Sequence, residues 1–190
     1  MKGQLQVRFM NCPACGRSII VLWGSTAASD GSGGPADFLV WPRSTGRPPV
    51  PAEVTPAIAA DYAQACLVQQ DSAKASAALS RRCLQHILRD RGGVSPGNLA
   101  NEIDQVISAH GLPTGVAEAL DAVREIGNFA AHPTKSTATG EVIDVEPGEA
   151  EWNLSVVEAL MDIYYVQPAR IAAKKAALNQ KLVDAGKSPV

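Results

Sequence analysis

The sequence predicts a mainly α protein: an antiparallel bundle of five to six helices, preceded by a small β-hairpin that carries a zinc-knuckle-like turn. Three observations predict it. From Thr55 onward apolar residues recur at helical spacing, punctuated by cap and stop signals. Before that, apolar residues alternate with polar ones or run in short β-branched stretches. Between the two regions five prolines, Pro42, Pro48, Pro49, Pro51 and Pro56, favour an extended connection. The expected organisation is a hairpin and Pro-rich linker over 1–51, a helical bundle over 52–168, and an Ala- and Lys-rich helix or tail over 169–190.

Leu5, Val7 and Phe9 alternate with polar residues, as in a half-buried strand. Ser18 to Trp23 reads as a second strand and Phe38 to Trp41 as a short third, with a mobile Gly/Ser/Ala loop from Gly24 to Pro35 between them. Thr55-Pro56 is an N-cap followed by proline at the first helical position, and it starts a helix reaching about Gln70. Asp71 opens the second helix, where Ala75, Leu79, Cys83 and Ile87 form a stripe that Gly92-Gly93 stops. Ser95-Pro96 opens the third, with Leu99, Ile103, Val106 and Ile107 inward, ended by Gly111. The fourth spans about Thr114 to Ala131 with Val116, Leu120, Val123 and Gly127 facing the core. A polar excursion from Pro133 to Gly148 follows, with a short hairpin near Glu141 to Val145. The fifth helix runs from about Glu149 to Val166, and Pro168 is expected to break it.

Composition narrows the function classes. With 46% apolar and 19% charged residues among 190, a sizeable core is expected and wholesale disorder is not. A formal net charge of −2 excludes a generally basic nucleic-acid-binding body, although not a local patch. No apolar run approaches the roughly 18 residues of a membrane span, and the N-terminus lacks the apolar stretch of a signal peptide. A cytoplasmic protein without a membrane partner is the expectation. Gly31-Ser32-Gly33-Gly34 lacks the Lys-Ser/Thr and the following helix of a phosphate loop. Arg170, Lys174, Lys175, Lys181 and Lys187 read as a solvated face.

Two constellations carry chemistry. Asn11-Cys12-Pro13-Ala14-Cys15-Gly16 lies between two predicted strands, and such a turn aims two thiolates at one point, as tetrahedral zinc requires. Cys12 and Cys15 are the candidate metal ligands, and zinc, structural and with an incomplete ligand set, is the candidate cofactor. A hairpin that survives without metal and a redox dithiol remain the alternatives. Cys66 and Cys83 fall in helical patterns and read as small core residues.

The second is Arg124-Glu125-Ile126-Gly127-Asn128-Phe129-Ala130-Ala131-His132, closed by Pro133. On a helix, Arg124, Asn128 and His132 follow one another by about 40° and so share a strip. A cation, an amide and an imidazole on one strip suit a phosphate. The ordinary alternative is a helix C-terminus in which His132 caps the last carbonyls. Arg81, Arg82 and Arg89 on the second helix would add positive charge beside the strip and are candidate RNA-binding residues. Their ordinary alternative is a solvated face with salt bridges to Glu125 or Asp121.

Ser80-Arg81-Arg82-Cys83-Leu84-Gln85-His86-Ile87-Leu88, followed by Val123 to Pro133, resembles the domain of unknown function family 4145, which is often placed with the HEPN helical-bundle superfamily. The Cys-Pro-x-Cys-Gly start and the Trp41-Pro42 step resemble its zinc-ribbon lead-in. The resemblance implies a prokaryotic defence or toxin–antitoxin protein and a metal-independent endoribonuclease acting as a homodimer. By that pattern Arg124 would clamp the scissile phosphate, Asn128 would orient it, and His132 would act on the ribose 2′-OH, with no cofactor needed for catalysis. Seven residues separate Arg124 from His132, against four to six in the superfamily motif. The expected partners are RNA, a second copy, and an antitoxin or restriction-system protein. The alternative function is a non-enzymatic adaptor that dimerises or docks onto a restriction or nuclease complex.

Overall fold

The computed structural model describes residues 5–25, 35–43, 45–131 and 145–190, in two units, Met1–Gly46 and Arg47–Val190. The protein is mainly helical, with a small antiparallel sheet in the first unit. Most of the expected 24–35 loop and of the expected 141–145 hairpin lies outside the described residues.

In the first unit, β1 (Leu5–Asn11), β2 (Ser18–Ser25) and β3 (Pro35–Trp41) form a sheet in that order. β1 pairs with β2 so that Val7 opposes Leu22, Phe9 opposes Ile20 and Asn11 opposes Ser18. β3 begins earlier than its apolar run, because the ladder continues through Gly24 opposite Ala36 and Ser25 opposite Pro35. A register shift between Ile20 and Val21 marks a bulge. Arg8 stacks over Trp23, 4.8 Å from the ring centre. The half-buried reading of β1 does not hold, since Val7 and Phe9 remain 68% and 67% exposed. Among the described residues of this unit no second layer lies over the sheet to bury them.

In the second unit, the Thr55-Pro56 signal starts α1 (Pro56–Val68) where expected, with Thr55 extended at the N-cap. α2 (Ala73–Arg91) is capped by Ser72, whose hydroxyl accepts from the Ala75 N–H at 3.1 Å. It ends at Gly92, where an added Cβ would sit 2.6 Å from the Leu88 carbonyl and 3.1 Å from Val106 Cγ2. Only glycine permits that approach to α3 (Leu99–Ser108). Asn98, rather than Ser95, caps α3, accepting from the Asn101 N–H at 2.9 Å. α4 (Thr114–Ala131) has the expected bounds. α5 (Pro147–Met161) begins at a reciprocal cap in which Glu149 accepts from the Glu146 N–H at 2.9 Å.

α2 is the hub, packing against α1, α3, α4 and α5. Its Leu84, Ile87 and Leu88 meet Ile103, Leu120, Val123, Leu154 and Val157 in one continuous core. The α2 stripe is centred on Ala77, Ser80, Leu84 and Leu88, and Ala75 is exposed. Cys66 and Cys83 are buried, as expected.

Pro168 does not break the last helix. Asp162–Val166 forms a π turn, and α6 (Gln167–Asp184) continues from it with Pro168 in its first positions. The Gln167 N–H reaches back to the Asp162 carbonyl, five residues away, and this wider turn relieves the clash a proline ring meets in a regular helix. α6 has no buried residue.

Candidate functional site

Each described candidate arginine is held by an acceptor on another helix or its approach. Arg81 on α2 donates through Nη1 to the Val123 carbonyl of α4 at 2.9 Å, and burial lowers its pKa from the usual guanidinium value. Arg82 clasps Asp61 of α1, with Nε donating to Oδ2 at 3.1 Å and Nη2 donating to Oδ1. That hydrogen-bonded carboxylate raises the Arg82 pKa. His86 shares the same acceptor, its Nδ1 lying 3.1 Å from Asp61 Oδ2. Arg89 donates to Glu102 of α3 through Nε at 2.8 Å, and its Nη2 lies 2.7 Å from Oε1 and 2.9 Å from the Gly97 carbonyl. Arg124 on α4 donates to Asp104 of α3 at 2.9 Å and lies 2.8 Å from Asp121 of its own helix. Among the described residues, Asp121 pairs with Arg124 of its own helix. Arg81, Arg82 and Arg89 tie α2 to three different helices.

The buried ends of these pairs are the residues that sequence reasoning missed. Asp61 is 6% exposed and Glu102 0%. Burial pushes the Glu102 carboxyl up, but the Arg89 and Gly97 hydrogen bonds and the Arg89 charge outweigh it, and the net direction is down. A signal was present. Asp61 falls among the apolar-stripe positions Ile58, Tyr62 and Ala65, and Glu102 among Leu99, Ile103 and Val106. An acid at a core-facing position demands a cation or hydrogen-bond donors from a neighbouring element. A third such node joins the Pro-rich segment to α5. Arg47 donates to Glu158 at 3.1 Å and to Ser155 at 3.1 Å, and the Tyr62 hydroxyl donates to Glu158 at 2.6 Å.

Asn128 lies within α4, one turn after Arg124, and His132 lies outside the described residues. Three cavities are lined by other residues. One of about 170 Å³ lies between Pro48, Pro49, Pro51 and Met161. Another of about 130 Å³ lies beside Trp152 and Val116. A third of about 330 Å³ flanks the π turn at Tyr164, Tyr165 and Pro168. None includes Arg81, Arg82, Arg89 or Arg124.

At the β1–β2 turn, Cys12 and Cys15 lie at the tip of the hairpin. The Cys12 N–H donates to the Arg17 carbonyl at 2.8 Å and the Gly16 N–H to the Cys12 carbonyl at 2.8 Å, with Gly16 at φ +70°. Arg17 Nε donates to Cys15 Sγ at 3.4 Å. Hydrogen bonds from Arg17 and Cys12, with the Arg17 charge, lower the Cys15 thiol to about 7. Among the described residues no group of three or more His, Cys, Asp or Glu side chains could hold a metal ion.

No curated protein and no solved structure matches the chain. The family described as "Domain of unknown function (DUF4145)" matches residues 63–181, a span that begins within α1 and ends within α6. That span holds the arginine-tied helices and the Arg124–Asn128 strip, and it covers more than half of the chain, so the chain belongs to the DUF4145 family.

Proposed function

We propose that this chain is a non-enzymatic, HEPN-like interaction module of prokaryotic defence or toxin–antitoxin type. In this reading it works in the cytoplasm and docks onto a restriction or nuclease complex. The observation that carries the reading is the engagement of the arginines. Arg81, Arg82, Arg89 and Arg124 are each bonded to a carbonyl or carboxylate of the bundle itself. To clamp a phosphate they would have to leave those acceptors, and two of the acceptors are buried carboxylates that are costly to leave unpaired.

One observation favours a second reading, a metal-independent endoribonuclease. α4 runs unbroken through Ala131, so Arg124 and Asn128 lie one turn apart on a helix that ends beside His132. In that reading Arg124 holds the phosphate, Asn128 orients it and His132 transfers the proton. Incubating purified protein with mixed structured RNAs in EDTA separates the two. The adaptor reading expects intact RNA from wild type and from His132→Ala alike. Cleavage by wild type that ends in a 2′,3′-cyclic phosphate and disappears in His132→Ala overturns it.

A further inference from the structure

α6 continues from the π turn and presents an exposed apolar strip. None of its residues is buried, and among the described elements it packs against the π turn that precedes it. Ile171 and Leu178 are large apolar side chains left 66% and 48% exposed. Leu178 follows Ile171 by seven positions and Leu182 follows Leu178 by four. At 3.6 residues per turn the three fall within about 40° of one another. That is the narrow a/d seam of a coiled coil, with Lys175 at the core position between Ile171 and Leu178.

Cations line this seam. Lys174 and Lys181 share one flank, with Arg170 just outside them, and Lys175 lies at the opposite edge. Asp184 is the single acid of α6, and it accepts from Gln180 at 2.8 Å. Unlike the arginines of α2, none of these four cations has an ion-pair partner among the described residues.

We propose that α6 docks a helix of another protein, one whose apolar a/d seam is flanked by Asp and Glu. The flanking charge selects that occupant. Two copies of α6 would set Lys175 against Lys175 if parallel, or Lys174 against Lys181 if antiparallel. An anionic membrane surface calls for a broader apolar face with aromatic anchors, and α6 holds no aromatic residue. Nucleic acid would use the cations and leave Ile171 and Leu178 in water. The proposal rests on the interaction-module reading for the existence of a partner, and adds the surface and the chemistry that fits it.

The test uses the full chain and a fluorescent synthetic three-heptad helix with Leu at a and d and Glu at e and g, with binding read by anisotropy. A sister peptide carries Lys at e and g. The expected result is binding of the acidic peptide and not of the basic one. Ile171→Ala/Leu178→Ala should weaken that binding by about tenfold or more, the size of one hot-spot truncation. Both sites are exposed and alanine favours helix, so far-UV circular dichroism should stay unchanged. Lys174→Glu/Lys181→Glu, a second and independent variant, should reverse the preference toward the basic peptide. No binding of the acidic peptide, equal binding of both peptides, or binding that survives the apolar substitutions overturns the proposal. So does tighter binding of a single-stranded RNA or of phosphatidylserine vesicles that is lost in the charge variant and kept in the apolar one. A wild-type mass twice the 19.9 kDa of one chain, halved by the apolar substitutions, would give the strip to a second copy and overturns it too. RNA cleavage in EDTA would overturn the interaction-module reading and leave peptide binding unchanged, whereas failure of peptide binding overturns this proposal alone.

Discussion

Removing Arg89 should turn a stabilising ion pair into a buried, nearly unsupported carboxylate. Glu102 Oε1 accepts from Arg89 Nε at 2.8 Å and from the Gly97 N–H at 2.8 Å, with Arg89 Nη2 a further 2.7 Å away. Arg89→Met keeps the aliphatic stem but leaves only neutral donors, the Gly97 N–H and the Gln85 amide, for a carboxylate that is 0% exposed. Breaking a buried pair from one side costs about 3–5 kcal/mol. The Arg89 head is 39% exposed, so part of its partnership is already shared with solvent, and the lower end of that range, about 3 kcal/mol, applies. In a domain of this size that corresponds to a fall in Tm of roughly 6–12 °C.

The pH dependence carries the sharper test. In wild type the folded Glu102 carboxyl lies below its ordinary value. Its contribution is therefore present above the unfolded value of about 4.3 and lost as pH falls through the folded one. In Arg89→Met the remaining effect is mainly burial, which pushes the folded carboxyl above about 4.3 and reverses the sign. The penalty should be largest near neutrality and shrink as pH falls toward the unfolded value. Urea unfolding followed by circular dichroism, at pH 7 and near pH 4.5, reads both arms. A loss below about 1 kcal/mol at pH 7, or an equal loss at the two pH values, would refute the reasoning.

Pro168→Ala should leave the helix from α5 to α6 intact, because the π turn already accommodates the ring, and should change stability by less than about 1 kcal/mol. A large gain in stability or helicity by circular dichroism would mean that the proline strains the helix. In metal-stripped protein, Cys15 should alkylate with a midpoint near pH 7, rising as the thiolate forms, and Arg17→Gln should move that midpoint upward. Mass spectrometry of iodoacetamide-labelled peptides reads it, and an unchanged midpoint in Arg17→Gln would remove Arg17 as the cause.

Legibility in the sequence followed the range of the interactions. The Thr55-Pro56 start, the Gly92 stop, the bounds of α4 and the hairpin around Cys12 and Cys15 were all readable. Each depends on contacts within a few residues, such as a cap, a proline at the first helical position or a glycine that closes a turn. Pro168 was misread because the local rule assumes a regular helix, whereas the observed π turn redistributes the hydrogen bonds around it. The candidate arginines were found as residues but not as contacts. Arg82 and Asp61 lie 21 positions apart, and Arg81 and Val123 lie 42 apart, separations that no cap or periodicity reports.

By itself the sequence determined the family, the helical class, the starts of most helices and the two-cysteine turn. These are properties of local chain chemistry and of short motifs. The tertiary structure decided what the arginines of α2 do. Which acceptor a guanidinium meets depends on which helices pack against its own, and that packing follows from the core around Leu84, Ile87 and Leu88. Once that core brings Asp61 and Glu102 beneath α2, a buried carboxylate left alone is too costly. Arg82 and Arg89 therefore brace the bundle by pairing with those carboxylates, while their side chains remain 52% and 39% exposed.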